Sequence, residues 1–345
     1  MSRHLARRRI ELTCARGTSL RVSFTQAAAF TNIPCMSPTA SGIFQAQVLG
    51  NRVVCREHFE ITLAVEGFPA AAPGQFIQVL CHEPDAFCTS IEDFDAMRWN
   101  TDACPERPML RRPFSIGGLR STGSFTEIDI MGRVVGVGTA WLAGLRRGEK
   151  VDLLGPLGGS FVAPSAGETA VLVAGGIGLP PIRWLGEVLA SDGVPCLAIV
   201  GAQSKALLPL RVTHSPKNPG EFEQIADEFS RMGIPGLITT DDGSFGLKGR
   251  VTDALGASLD RLSGTAGGAF CVYACGPEPM LKAVSVLCDE RGVSCQVAME
   301  RVMGCGVGTC QSCVVPVKDA GAQDGWRYAL CCREGPVFDS RVVIW

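Results

Sequence analysis

Three cysteines near the C-terminus have the spacing of metal ligands. Cys305, Cys310 and Cys313 form a C-x4-C-x2-C pattern in the segment MGCGVGTCQSC. This spacing, completed by a more distant fourth cysteine, is typical of a plant-type [2Fe–2S] cluster. The intervening glycines let backbone N–H groups turn toward the sulfurs and stabilise their negative charge. The sequence therefore predicts an iron–sulfur cluster, with either Cys331 or Cys332 as the fourth ligand.

Structural zinc is the main alternative for these cysteines. Zinc sites are usually built from paired knuckles such as C-x2-C, whereas this chain contains a single C-x2-C. The spacing therefore favours a two-iron cluster over zinc. A non-catalytic zinc-binding interaction protein is the function that the alternative would imply.

Two segments further upstream suit a flavin nucleotide. In the run RRPFSI, Arg112 stands beside a proline-fixed turn and is suited to bind a pyrophosphate, and Ser115 can hydrogen-bond a ring nitrogen. Downstream, Gly138 and Thr139 open a helical segment, and a helix N-terminus binds phosphate. Each short motif is weak alone, but both fall in one predicted β domain, which favours a flavin site there.

A second glycine-rich turn follows a buried strand. Gly175, Gly176 and Gly178 come directly after the apolar run ETAVLV and precede a helix-like segment. Glycines at such a strand-to-helix turn permit close approach of a phosphate to the backbone. A plain tight turn is the alternative interpretation. The position of this turn between a buried strand and a helix favours a dinucleotide site.

Two other strands of this region end in residues that can contact the same ligand. The fourth strand is followed by Cys275, Gly276 and Pro277, and the third by Asp241 and Asp242. The carboxyl ends of parallel strands face the ligand crevice in such folds. Cys275 is therefore predicted near a nicotinamide, or else as a small buried residue. The two aspartates are predicted either to bind ribose hydroxyls or to form a solvated turn.

These residues are positioned by a multidomain fold. Short strands with Gly and Pro turns over 43–165 predict an antiparallel β-barrel, interrupted by a polar, acidic insertion at 81–107. Buried strands alternating with helices over 166–291 predict a parallel α/β nucleotide-binding domain. Residues 292–345 form a cluster-binding module too small to hold a core without a cofactor. We expect residues 1–42 to be an extension that is disordered or not translated.

Composition narrows the class of protein further. A chain of 345 residues suggests two or three domains, and a net charge of −2 gives no electrostatic case for nucleic acid or an anionic membrane as partner. Its 16 cysteines are spread along the chain, which favours a reducing compartment, the cytoplasm, over a disulfide framework. No uncharged stretch is a continuous apolar helix of membrane-spanning length.

Several motifs together resemble a known family. RRPFSI, AGGIGLPP, YACGPEPML, ERVMGCGVGTCQSC and CCREGPVFDS are similar to the electron-transfer subunits of dihydroorotate dehydrogenase B, within the ferredoxin–NAD(P) reductase superfamily. The resemblance is collinear from about Ile43 to Trp345, apart from the insertion. It implies bound FAD, one [2Fe–2S] cluster and NAD+ as electron acceptor. It also implies a partner, an FMN-containing catalytic subunit that oxidises dihydroorotate in pyrimidine biosynthesis, in a heterotetramer with two copies of each chain.

The resemblance also assigns residues. The family's last cluster ligand is separated from Gly-Pro-Val-Phe by two residues, which implies Cys332 rather than Cys331 as fourth ligand. The implied cluster ligands are then Cys305, Cys310, Cys313 and Cys332. The implied FAD contacts are Arg112, Pro113, Phe114, Ser115, Met131, Gly132, Arg133, Gly138 and Thr139.

A reductase arm of a hydrogenase, an oxygenase or a glutamate synthase would use the same cofactors. This is the alternative function within the superfamily. The Gly-Pro-Val-Phe segment at residues 335–338 argues against it, because that segment is among the most specific parts of the resemblance.

Overall fold

The computed structural model describes residues 9–13, 19–23, 41–82, 110–266 and 269–345. Most of the predicted extension and most of the predicted insertion at 81–107 lie outside the described residues, so both stay predictions. The strands are β1 Arg9–Thr13, β2 Ser19–Ser23, β3 Gly42–Cys55, β4 His58–Val65, β5 Phe76–Val79, β6 Arg112–Ser115, β7 Gly118–Ser121, β8 Thr126–Arg133, β9 Lys150–Leu157, β10 Thr169–Gly175, β11 Cys196–Ala202, β12 Gly236–Thr240, β13 Leu247–Lys248, β14 Phe270–Cys275, β15 Ser294–Ala298, β16 Val314–Lys318, β17 Trp326–Leu330 and β18 Val337–Asp339. The helices are α1 Val137–Gly144, α2 Leu179–Ser191, α3 Asp227–Ser230, α4 Val251–Ala266 and α5 Glu278–Glu290, with 3-10 turns at Gly176–Gly178 and Lys205–Leu207.

Seven strands form an antiparallel sheet in the order β6-β5-β9-β3-β4-β8-β7. Strand β4 illustrates its construction, because alternate side chains of a strand point to opposite faces. Phe59, Ile61, Leu63 and Val65 enter the core of this sheet. The antiparallel sheet confirms the coarse prediction for this part of the chain. Among the described residues no hydrogen-bonded ladder joins its edge strands β6 and β7.

The second seven-stranded sheet is mostly parallel, in the order β13-β12-β11-β10-β14-β15-β18. Its central strand β10 is buried on both faces. Val171 and Val173 pack in the core that holds helices α4 and α5, whereas Ala170 and Leu172 pack in the core that holds helix α2. The chain runs outward from β10 to β12 and returns to β14 on the other side of β10. The switch point of the sheet therefore lies between β10 and β14.

The C-terminal part differs from the predicted boundary at residue 292. Strand β15 pairs parallel with β14, and β18 pairs antiparallel with β15, so both belong to the second sheet. Only the segment between them, with the cysteines and the β16–β17 hairpin, projects from it. Val315 and Val317 of β16 share one hydrophobic core with Val297 of β15. This shared core explains how so short a segment is packed.

Helix α2 and strand β4 join the two sheets. Arg183 Nη1 donates to Glu60 Oε1 at 2.6 Å and its Nη2 to the Gly117 carbonyl oxygen at 3.2 Å. Glu60 also pairs with Arg52. The side chains of Arg183 and Glu60 are 15% and 10% exposed, so this ion pair is largely buried between the sheets. Of the helices in the described part of the chain, none is long and apolar enough to cross a membrane.

Candidate cofactor cavity and metal centre

A cavity of about 1030 Å³ lies between the two sheets. One wall comes from β6, β8 and the start of α1, and the other from the carboxyl ends of β10 and β14. All of the residues predicted to contact a flavin or a dinucleotide line it, namely Arg112, Pro113, Phe114, Ser115, Met131, Gly132, Arg133, Gly138, Thr139, Gly175, Gly176, Gly178, Gly276 and Pro277. Cys275 lines it as well. Motifs separated by more than 160 residues of sequence thus meet at one cavity.

Arg112 brings a positive charge to the first wall. Its Nη1 donates to the Leu110 carbonyl oxygen at 2.8 Å, and no carboxylate of the described residues forms an ion pair with it. The neighbouring Arg111 does not line the cavity and donates to the Asp152 carbonyl oxygen at 2.9 Å instead. An arginine without an acidic partner suits an anionic ligand. Phe114, two residues on, is mostly buried.

The turn after β8 forms the rest of this wall. The Thr139 hydroxyl accepts N–H groups from Val135 at 2.9 Å and Gly136 at 3.2 Å, which fixes the start of helix α1. Arg133 donates to Glu57 Oε2 through Nε and Nη2, so its charge is already paired. Arg133 is thus paired with a carboxylate, whereas Arg112 has no acidic partner among the described residues, so the charge of Arg112 is more available to a ligand in the cavity.

The second wall is a close contact between two strand ends. A Cβ on Gly178 would lie 2.2 Å from the Cys275 carbonyl oxygen, so only glycine fits this turn. Gly176 has a φ of 52°, a left-handed conformation that glycine adopts at little cost. Burial, together with the charge of Glu300, raises the pKa of Cys275 to about 12, so it is a neutral thiol.

The two aspartates after β12 differ in their surroundings. Asp241 lines the cavity. Asp242 instead accepts hydrogen bonds from Ser244, from the backbone N–H at 2.9 Å and from the hydroxyl at 2.6 Å. Asp242 therefore forms a turn, whereas the binding interpretation stays a prediction for Asp241, which faces the cavity.

Sequence reasoning missed several lining residues, of which His58 is the clearest case. His58 begins β4 and stands opposite Arg133 in register on β8. Its Nδ1 lies 2.8 Å from the Arg56 carbonyl oxygen, and burial lowers its pKa, which favours the neutral ring. Nothing in the local sequence marks this histidine, because only the pairing of β4 with β8 brings it to the cavity. Arg250 also lines the cavity and was not singled out as a ligand-binding residue.

The cysteine loop directs backbone N–H groups at its own sulfurs. Cys305 Sγ accepts from the N–H of Val307 at 3.4 Å and of Cys310 at 3.3 Å, and Cys310 Sγ accepts from Cys305 at 3.4 Å. Gly306 and Gly308 have φ values of 73° and 89°, which turn the loop tightly around these sulfurs. Such N–H contacts stabilise thiolates, the form in which cysteine binds metal.

Cys331 and Cys332 have different neighbours. The Cys331 thiol donates to the Met299 carbonyl oxygen at 3.4 Å, whereas the Cys332 N–H donates to Cys313 Sγ at 3.4 Å. Burial raises the pKa of Cys332 to about 12, with further contributions from the thiols of Cys313 and, more weakly, Cys305. Cys313 also contributes to a raised pKa of Cys331, but only Cys332 forms a side-chain hydrogen bond with Cys313 and is influenced by Cys305 as well.

The donor set fits a [2Fe–2S] cluster. Four thiols, those of Cys305, Cys310, Cys313 and Cys332, lie in one region, and three of their sulfurs accept backbone N–H groups. Hydrogen bonds from Ser312, and then from Cys305, lower the pKa of Cys310 to about 6. Among the described residues no group of three or more His, Cys, Asp or Glu side chains is arranged to hold a single metal ion. A two-iron cluster divides four thiolates between two irons, so it does not require such convergence.

The fold formed by the two sheets, with the cavity between them and the adjoining cysteine segment, is similar to the fold of solved reductases. The NADH-dependent reduced ferredoxin-NADP oxidoreductase superposes with a TM-score of 0.65 at 23% identity, over 87% of this chain and 90% of that chain. An Amycolatopsis cytochrome P450 reductase gives a TM-score of 0.54 at 19% identity, over 76% and 69% of the two chains. At these low sequence identities, the similarity to both structures is a similarity of fold.

Sequence similarity gives the family. Residues 300–344 match the model of the iron–sulfur cluster binding domain of dihydroorotate dehydrogenase B. The electron transfer subunit of dihydroorotate dehydrogenase B (NAD(+)) from Desulforamulus reducens is 33% identical over 307 residues, 88% of this chain and 99% of that protein. The one from Geobacillus thermodenitrificans is 34% identical over 305 residues, 86% and 96% of the two chains. The chain therefore belongs to the family of dihydroorotate dehydrogenase B electron-transfer subunits, which confirms the predicted family and its oxidoreductase character.

Proposed function

We propose that this chain carries electrons between a nicotinamide nucleotide and a partner enzyme through bound FAD and one [2Fe–2S] cluster. The observation that carries the proposal is the single cavity between the sheets, whose walls hold both the flavin-type and the nucleotide-type residues. Met303 also lines this cavity, and it precedes the first proposed cluster cysteine by two residues. In this proposal the flavin, nucleotide and cluster sites therefore lie next to one another.

In this proposal the antiparallel sheet is the FAD-binding barrel domain. Arg112 binds the pyrophosphate, since its charge has no acidic partner among the described residues. Phe114 and Ser115 adjoin the flavin ring, and the Ser115 hydroxyl bonds a ring nitrogen. The remaining FAD contacts are Pro113, Met131, Gly132, Arg133, Gly138 and Thr139.

The parallel sheet is the NAD-binding domain. Gly175, Gly176 and Gly178 let the dinucleotide phosphates approach the start of helix α2. Gly276 and Pro277 follow the neighbouring strand at the switch point, where such ligands bind. Cys275 contacts the nicotinamide end as a neutral thiol, excluding water without releasing a proton.

Cys305, Cys310, Cys313 and Cys332 hold the cluster. The backbone N–H groups of the loop stabilise its thiolates, and the shared core under β16 keeps the loop against the cavity. When both groups are bound, they supply the exchange between two-electron nucleotide chemistry and one-electron transfer. The protein supplies their spacing and orientation.

The partner in this proposal is inferred from the family to which the chain belongs. Relatives are named as the electron transfer subunit of dihydroorotate dehydrogenase B (NAD(+)). We therefore propose that an FMN-containing catalytic subunit oxidises dihydroorotate and passes electrons to this chain, which reduces NAD+. The complex would contain two copies of each chain and serve pyrimidine biosynthesis in the cytoplasm.

A two-component assay tests this function. The chain is purified anaerobically and mixed with the FMN subunit, and dihydroorotate-driven NAD+ reduction is followed at 340 nm. We expect NADH only when both chains are present. Absence of NADH, although NADH alone still bleaches the flavin and the cluster, would instead assign the chain to another partner, as the hydrogenase, oxygenase or glutamate synthase alternative requires. A colourless preparation containing zinc would contradict the cofactor assignment itself.

A further inference from the structure

Gln78 is a buried polar side chain between the two proposed cofactor sites. It lies on β5, which pairs with the flavin strand β6, and it stands opposite Pro113 in register. Its neighbours Ile77 and Val79 enter the core of the antiparallel sheet. Because side chains alternate along a strand, Gln78 points out of the other face of that sheet. It is fully buried there but does not line the cavity.

The cysteine loop closes over this side chain. A Cβ on Gly306 would lie 2.6 Å from both Cγ and Nε2 of Gln78, so the loop backbone is in close contact with the amide. Gly306 also has a φ of 73° and directly follows the proposed ligand Cys305. Glycine is thus required at this position both by the turn and by the amide beneath it.

The amide is poorly satisfied by the protein. Nε2 has the Met303 thioether sulfur as its partner, at 3.9 Å, and a thioether is a weak acceptor. Gln78 Oε1 is buried and has no hydrogen-bond partner in the described part of the chain. Buried polar groups are normally paired, and turning the amide by 180° exchanges its oxygen and its N–H donors. The side chain therefore has donors available for a group that the polypeptide does not supply.

Gln75 on the same strand region provides the contrast. Its Oε1 accepts the Ala72 N–H at 2.9 Å, and its Nε2 donates to the Gly158 carbonyl oxygen at 2.8 Å. Gln75 is also buried, but the backbone satisfies both ends of its amide. The unmet hydrogen-bonding capacity is therefore particular to Gln78 rather than a feature of buried glutamines in this sheet.

We propose that Gln78 donates an N–H to a sulfur at the Cys305 edge of the cluster and thereby raises the reduction potential of the cluster. The inference rests on the proposed function only for the presence of the cluster. Cluster sulfurs accept hydrogen bonds, and reduction adds negative charge to them, so a donated N–H stabilises the reduced form. Gln78 is then a tuning residue on the flavin side of the cluster.

The test compares Gln78→Met with the matched control Gln75→Met in the cofactor-loaded chain. The cluster midpoint potential is measured by EPR-monitored redox titration, and exchangeable protons near the reduced cluster by electron–nuclear double resonance after D2O exchange. We expect Gln78→Met to lower the equilibrium constant for cluster reduction about tenfold, about 59 mV for one electron, and to lose one exchangeable-proton coupling. Gln75→Met should retain both wild-type values.

A second variant keeps the test decisive if Gln78→Met does not hold the cluster. Gln78→Leu removes the donor without introducing a titratable group, so it should also lower the potential and lose the coupling. Wild-type potential and couplings in either variant would overturn the inference while leaving the proposed function intact. A missing [2Fe–2S] signal in the unaltered chain would contradict the proposed function instead.

Discussion

Adjacent residues can have different chemistry when a turn sends their side chains in different directions. Cys331 donates its thiol to the Met299 carbonyl oxygen, whereas Cys332 adjoins Cys313 in the cysteine loop. The cysteine spacing left the two residues equivalent, and the comparison with Gly-Pro-Val-Phe favoured Cys332. The contacts in the structure support the same choice by an independent physical route.

Serine variants of these two cysteines test the fourth ligand. Cys332→Ser should abolish the visible absorbance and EPR signal of the cluster, because a hydroxyl is a far poorer iron ligand than a thiolate. Cys331→Ser should retain both signals, since its hydroxyl can still donate to the Met299 carbonyl oxygen. Loss of the cluster in Cys331→Ser alone would show that the assignment is wrong.

Arg112 and Arg111 form a matched pair for the flavin site. Arg112→Ala should weaken FAD binding about 10- to 100-fold, since a hydrogen bond to a charged group contributes about 1.5–3 kcal/mol. Arg111→Ala should retain FAD, because Arg111 donates to the Asp152 backbone away from the cavity. Equilibrium titration of the flavin-depleted protein, followed by flavin fluorescence, measures both. Equal FAD affinity in the two variants would remove Arg112 from the proposed site.

At the scale of elements, the nucleotide site depends on how closely two parallel strands end beside each other. Strands β10 and β14 are paired with Ala174 opposite Cys275, and the turn after β10 comes directly against the end of β14. Gly178 is the contact point, with no room for a Cβ beside the Cys275 carbonyl oxygen. The glycine therefore fixes the geometry of both strand ends.

Substitution of this glycine should affect both stability and nucleotide use. Gly178→Ala is expected to lower the free energy of unfolding by about 1–3 kcal/mol through overpacking, and to raise the KM for NADH in a ferricyanide assay. Gly144→Ala is the control, because no atom lies within 4 Å of its added Cβ. Denaturant unfolding and steady-state kinetics give the two readouts. An unchanged KM in a folded Gly178→Ala protein would contradict the proposed role of this turn.

Elements with a strong periodic pattern could be predicted from sequence, and weakly patterned ones could not. The apolar run of β10 and the short, turn-bounded segment of β4 each indicated the correct type of strand. Strands β15 and β18 were missed as members of the parallel sheet, because SCQVA and VFD are too short to show a period. His58 and Gln78 were missed as well, since pairing between distant strands brings them to their sites.

The whole molecule depends on the relative orientation of its two sheets, because the cavity lies between them. Glu60 of β4 is held between the largely buried Arg183 of α2 and the half-exposed Arg52 of β3. Loss of Arg183 would leave the buried Glu60 carboxylate with the partly exposed Arg52 as its remaining ion-pair partner, which costs more than loss of an exposed pair. This contact is thus expected to hold the flavin wall against the nucleotide wall.

Disruption of this ion pair should be costly. Arg183→Met is expected to lower the free energy of unfolding by about 1.5–3 kcal/mol, the contribution of a hydrogen bond to a charged group, whereas Arg341→Met, which breaks the exposed pair with Asp339, should change it by less than about 1 kcal/mol. Denaturant unfolding measures both. The double variant Arg183→Met/Glu60→Leu should recover part of the loss. Additive effects of the two single substitutions would show that the pair does not couple the sheets.

We propose that one chain joins a nucleotide cavity to an iron–sulfur cluster. The most direct test of this proposal is an anaerobic titration of the isolated chain with NADH, followed by flavin absorbance and by EPR of the reduced cluster. We predict that the flavin bleaches and the [2Fe–2S] signal appears together, with enough NADH consumed to account for both. A flavin that bleaches while the cluster stays oxidised, although dithionite reduces it, would contradict electron transfer between the two sites.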